Sequence, residues 1–101
     1  ELILAAKPFT AADAHAWGIV NEVCEPGELM ERTLAIAQRI AENAPLSVRQ
    51  AKKSIHRGLQ MDLSNAYQFE IEAYNQLVTS EDRLEGVRAF NEKRKPRFQG
   101  R

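Results

Sequence analysis

The chain has 101 residues, 44% hydrophobic and 28% charged, with a formal net charge of zero. That is an ordinary composition for one water-soluble domain with a limited core, and no apolar run approaches the about 20 residues of a membrane-spanning helix. The single cysteine, Cys24, excludes an internal disulfide and a cysteine-based metal site and fits a reducing, cytoplasmic setting.

Glu1–Ala6 reads as the end of a helix whose Leu2, Ile3 and Leu4 need a packing partner. The chain opens inside this pattern with no N-cap ahead of it, so an upstream part is expected. Pro8 holds Lys7 extended. Thr10 caps a short helix, with Asp13 three residues on in the capping-box position, and Gly18 is a natural left-handed stop. Ile19–Val23 alternates and is rich in β-branched residues, which predicts a short strand or extended segment.

Pro26 opens a longer helix. Leu29, Thr33, Ile36 and Ile40 recur at spacings of 4, 3 and 4, with Leu34, Ala37 and Ala41 beside them, so a core-facing stripe is expected. Pro45 opens the next helix, with Val48, Ala51, Ile55 and Leu59 as its inner face and Gly58 weakening its last turn. Asp62 caps a helix whose Leu63, Ala66, Tyr67, Phe69, Ile71, Tyr74, Leu77 and Val78 make it apolar over more than half its circumference. Such a helix needs cover on two sides, either from the rest of the core or from a neighbouring subunit.

The last helix begins at Thr79 or Ser80 as N-cap, with Glu81 and Asp82 where carboxylates favour the helix dipole. Leu84, Val87 and Ala89 with Phe90 form a narrow apolar stripe, and Pro96 ends the helical pattern. From Arg83 onward seven basic residues (Arg83, Arg88, Lys93, Arg94, Lys95, Arg97, Arg101) face only Glu85 and Glu92, so a neutral chain carries an acidic body and a basic tail. Such a tail is solvated, binds phosphate, or pairs with an acidic surface of its own or a neighbouring subunit.

No catalytic constellation is visible. His15 and His56 lack a partner at metal-ligand spacing. Glu70 and Glu72 point to different helix faces, and the five glycines are too dispersed for a phosphate loop. The feature with binding chemistry is Phe90 with Lys93, three apart and so neighbours on one helix face: an aromatic face suits a nucleotide base and an ammonium beside it suits phosphate, although residue types alone favour a packed Phe and a solvated Lys.

The stretch SEDRLEGVRAFNEKRKPRFQGR resembles the C-terminal signature of the crotonase superfamily, the enoyl-CoA hydratases and isomerases, through Ser80, Glu81, Asp82, Glu85, Gly86, Ala89, Phe90, Glu92, Lys93, Arg94, Pro96, Phe98 and Gly100. ELILAAKPFTAADAHAWGIVNEV is similar to an earlier segment of the same family, with Ala5-Ala6 in place of the usual Thr-Gly. The resemblance implies the last two-fifths or so of a family member: a mostly α fold of four to five helices with one short extended segment, the C-terminal helical part of a crotonase-like α/β enzyme. Residues 1–24 would be the tail end of the core and residues 25–101 a helical oligomerisation and lid region. The parent would be an enoyl-CoA hydratase or isomerase acting on an acyl-CoA thioester, with its oxyanion hole and catalytic glutamates upstream, so that no catalytic residue and no metal ligand lies in this chain. Phe90 and Lys93 would reach CoA bound in an adjacent subunit. CoA would be part of the substrate, no separate cofactor would be needed, and the assembly would be a homotrimer or hexamer without nucleic acid or membrane. The alternative is a stand-alone helical interaction module using the apolar face of Leu63–Val78.

Overall fold

The computed structural model describes residues 1–101 and contains six α-helices, one 3₁₀ turn and no strand. Contacts divide it into two compact units, Glu1–Ala35 and Ile36–Arg101. No helix is long and apolar enough to cross a membrane.

In the first unit, the single turn α1 (Leu2–Ala5) closes on Ala6, whose φ of 48° is left-handed. That is the position where a glycine would sit without steric cost. The second helix, α2 (Ala11–Ala16), has the expected capping box: the Asp13 N–H donates to Thr10 Oγ1 at 3.1 Å and the Thr10 N–H donates to Asp13 Oδ2 at 3.0 Å. Its other end is a Schellman turn about Gly18 (φ 72°), in which the N–H groups of Ile19 and Gly18 donate to the carbonyls of Ala14 (2.9 Å) and His15 (3.0 Å). Phe9 and Trp17 pack across the helix with ring centroids 5.5 Å apart. The β-branched segment after Gly18 forms bends and then irregular chain over residues 22–25. It finds no neighbouring strand to take its backbone groups, and without one the alternating pattern cannot become a strand. A 3₁₀ turn at Pro26–Glu28 leads into α3 (Leu29–Ala41). Arg32 ties this start together by pairing with Glu22 and with Glu28 one turn back.

The stripe on α3 exists but is uncovered: Leu29, Leu34, Ile36 and Ile40 are all exposed. The periodicity identified the helix correctly and its surroundings wrongly, because amphipathicity marks a face that seeks cover, not the element that supplies it.

The second unit is built on a hairpin of α4 (Pro45–Gly58) and α5 (Leu63–Val78), the latter capped by Asp62, whose Oδ1 accepts from the Asn65 N–H at 3.1 Å. Gln50 donates to Gln76 (2.6 Å) near one end, and Gly58 faces Ala66 at the other, so the helices run antiparallel. Gly58 and Ala66 meet at the seam, Ala73 of α5 is buried, and Lys53 lies 5.7 Å over the Phe69 ring. Ala44, Ala73 and Ala89 are the buried apolar residues of this unit, and no large side chain is fully buried. The outward stripe of α5, Leu63, Tyr67, Ile71 and Tyr74, remains exposed, as do Ile55 and Leu59 on α4. Of the two covers that α5 needs, α4 supplies one.

A Cβ at Gly58 would meet Ala66 Cβ at 3.6 Å, an ordinary contact. Gly58→Ala therefore removes backbone freedom from the unfolded chain without creating a clash. It is expected to stabilise the protein by about 0.5–1 kcal/mol, read as a rise in the urea midpoint with an unchanged slope.

Candidate functional site

The last helix, α6 (Glu81–Asn91), is capped by Ser80, whose Oγ accepts from the Arg83 N–H at 3.2 Å and donates to the Leu77 carbonyl at 2.8 Å. Of the apolar stripe, Ala89 alone is covered. Leu84, Val87 and Phe90 point to solvent, while Asp82 and Ala89 are buried and Glu85 is half-buried. The cause lies downstream. The tail after Pro96 folds back along the helix and presents its backbone N–H groups to the carboxylates.

Asp82, 2% exposed, accepts from the N–H groups of Gln99 (2.6 Å) and Gly100 (2.8 Å), and its own N–H donates to the Arg101 carbonyl at 3.0 Å. Glu85 accepts a two-pronged bond from Arg94 (2.6 and 3.0 Å) and the Arg97 N–H at 2.8 Å. Arg94 Nε also donates to Glu92 at 2.6 Å. Phe98 lies against Gly86, and Gly100 sits beside Pro45 at the start of α4. An exposed pair, Arg101 with Glu81 at 2.9 Å, closes the rim. Part of the basic tail is thus neutralised by the chain's own acids. Sequence reasoning placed Glu81 and Asp82 in the first turn but missed that Asp82 and Glu85 hold the tail. The signal was the acidic body facing a basic end.

The Arg94 guanidinium, together with the Arg97 N–H, holds the Glu85 carboxyl down at about 2, and the bonds to Glu85 and Glu92 raise Arg94. A carboxyl of lower pKa in the folded state takes up its proton more readily when the chain unfolds. The stabilisation from Glu85 is therefore complete above the ordinary glutamate range near 4.5 and is lost as pH falls from there towards about 2. Glu85→Gln is expected to flatten that part of the stability–pH curve, as urea midpoints across the interval would register.

Beyond Asn91 the chain makes a second Schellman turn. Glu92 is the C-cap, and the N–H groups of Lys93 and Arg94 donate to the carbonyls of Phe90 (3.2 Å) and Ala89 (3.0 Å). The residue at the left-handed position, Gly18 in α2, is here Lys93, with φ 51°. A side chain in that conformation costs on the order of 1 kcal/mol. Strain of this kind persists where surrounding structure holds it, and it gathers at functional sites.

The sequence placed Phe90 and Lys93 on one helix face. The structure keeps Phe90 on the last turn of α6, 84% exposed, and puts Lys93 just outside the helix, exposed and without an ion-pair partner. The two are joined through the backbone bond between Lys93 and Phe90. His15 and His56 stand separately and exposed on α2 and α4, and Cys24 is half-buried in the irregular segment. An apolar groove of about 570 Å³ runs along the α4–α5 hairpin, lined by Ile55, Leu59, Tyr67 and Tyr74 among others.

An open aromatic, a strained lysine and a tail folded back on α6 characterise the end of this chain, and comparison with known proteins places it. A sequence model of the enoyl-CoA hydratase/isomerase family matches residues 1–101. The chain belongs to that family, within the crotonase superfamily. Among its relatives, the short-chain-enoyl-CoA hydratase of Clostridium acetobutylicum is 42% identical over 95 residues, covering 94% of this chain and 36% of the relative. The carnitinyl-CoA dehydratase of Salmonella typhi is 34% identical over 105 residues, covering all of this chain and 40% of the relative. The crystal structure of an enoyl-CoA hydratase from Bacillus anthracis superposes with a TM-score of 0.89 at 42% identity, over 90% of this chain and 35% of that one. The chain thus spans between a third and two-fifths of the length of these proteins.

Proposed function

We propose that this chain is the C-terminal helical segment of an enzyme acting on acyl-CoA thioesters, an enoyl-CoA hydratase with isomerase and dehydratase activities as the alternatives. In this reading residues 1–24 continue the catalytic core and residues 25–101 form the helical region that packs subunits and carries part of the CoA edge. The observation that carries it is the pair at the end of α6: Phe90 lies open to stack on the adenine, and Lys93, the cation left free beside it, meets phosphate. The general acid and base and the oxyanion hole belong to residues outside this chain, and CoA enters as part of the substrate.

The uncovered faces of α4 and α5 support a second element of the proposal, a homotrimer or hexamer in which Ile55, Leu59, Tyr67 and Tyr74 are covered by neighbouring subunits. The same faces would serve the alternative, a self-contained helical interaction module.

The test is an assay of the intact protein for hydration of short- and medium-chain enoyl-CoA, followed by the loss of enoyl-thioester absorbance, with 3-enoyl-CoA isomerisation run beside it. Turnover supports the reading, and inertness towards every acyl-CoA tried refutes it. Phe90→Ala is expected to raise KM for the CoA substrate about tenfold, a stacking contact's worth, with kcat little changed. An unchanged KM would remove Phe90 from the site.

A further inference from the structure

Lys93 holds a backbone conformation that its side chain disfavours, and nothing bonded to its own side chain holds it there. Beyond the two backbone bonds of the Schellman turn, the restraint comes from its neighbours. Glu92 and Arg94, on either side, are joined to each other at 2.6 Å, and Arg94 reaches back to Glu85 through two bonds of 2.6 and 3.0 Å. Glu85 also takes the Arg97 N–H at 2.8 Å, which pins the chain three residues further on. Arg94 is thereby engaged by two carboxylates and, at 3.2 Å, by the Lys95 carbonyl, and Lys93 is the cation left unpaired among residues 92–94.

We propose that the Glu85–Arg94 pair is a positioning device that holds Lys93 in its left-handed conformation and so aims its ammonium at a phosphate of CoA. The inference rests on the CoA reading of Phe90 and Lys93. It separates two roles that the sequence leaves merged in a run of three cations, Lys93-Arg94-Lys95. Lys93 is the ligand, and Arg94 acts through it. A bidentate guanidinium is needed for this, because a lysine at position 94 could hold one carboxylate oxygen but not fix the plane of the contact.

The experiment is a double-mutant cycle in the intact protein, with free coenzyme A as the probe and calorimetric titration as the readout. Lys93→Ala is expected to weaken binding about tenfold, the scale of one charge-assisted contact. Arg94→Gln should weaken it by a similar factor, raising KM with kcat unchanged. The combined variant should bind about as Lys93→Ala does, because once the ammonium is gone its placement no longer matters, whereas independent effects would give about a hundredfold. Should Arg94→Gln not fold, Arg94→Lys is measured in both backgrounds, and the same non-additivity decides. If Lys93→Ala binds CoA like the parent, the CoA reading falls and this inference with it. If Lys93→Ala is weakened while the position-94 variants bind normally, or the combined loss is the product of the two, the CoA reading stands and the positioning role is wrong.

Discussion

Asp82→Ala should destabilise the protein by about 3 kcal/mol and release the tail from α6. Asp82 is almost wholly buried and accepts two backbone N–H groups, those of Gln99 and Gly100. Each bond involves a charged acceptor, and removing the acceptor leaves both donors without partners in a partly buried setting, where an unmet donor costs about 1–3 kcal/mol. Asp82→Asn keeps an acceptor oxygen and should cost roughly half as much. Glu81→Ala, one residue away, removes only the exposed pair with Arg101 and should change stability by less than about 0.5 kcal/mol. Urea unfolding gives the three values. Trypsin gives the mechanism, since a released tail exposes the bonds after Lys93, Arg94 and Arg97 while the Lys95–Pro96 bond resists. A loss below about 1 kcal/mol for Asp82→Ala, or no gain in tail cleavage, would mean that the tail is held by Phe98 and Glu85 without it.

The caps were legible because they are local. Thr10, Asp62 and Ser80 each bond a backbone N–H three residues away, so a reading of four residues contains the whole interaction. Gly18 was legible for the same reason. The faces of α6 were not. Asp82 and its two donors are 17 and 18 residues apart, and no periodicity within the helix can reveal that its charged side is the inner one. The stripe of Leu84, Val87 and Ala89 with Phe90 says only that these residues share a side; Ala89 alone of them is buried, because the tail supplies matched polar cover to the neighbouring side instead. On α3 and α5 the residues that seek cover were identified, but the cover itself is not a property of the helix. At the candidate site, the types and spacing of Phe90 and Lys93 suit a nucleotide and a phosphate but suit a packed ring and a solvated cation better, and it was the family resemblance that singled the pair out. The left-handed backbone at Lys93 stayed hidden because the usual marker of that conformation, a glycine, is absent.

That absence leads to a substitution whose effects on stability and on binding should have opposite signs. Lys93→Gly relieves the unfavourable left-handed φ of 51°. The gain is offset in part by the greater freedom of glycine in the unfolded chain, leaving a net stabilisation of about 0.5–1 kcal/mol. Both Schellman bonds are made by backbone groups, so they survive the change. The ammonium does not, and affinity for CoA should fall about tenfold. Lys93→Ala removes the same charge but keeps a Cβ in the left-handed conformation, so it should lose the same affinity without becoming more stable. Gly18→Ala is the mirror case: it introduces the strain that Lys93→Gly removes, and should cost about 1 kcal/mol with no effect on CoA. Unfolding must be followed without CoA, because a bound ligand would stabilise the parent selectively. If Lys93→Gly were less stable than the parent, the left-handed turn would not be a strained one. If it were more stable and still bound CoA normally, the turn would be strained for some purpose other than CoA. A gain in one measurement and a loss in the other is the outcome expected of a lysine kept, at a cost in stability, where a glycine would fit better.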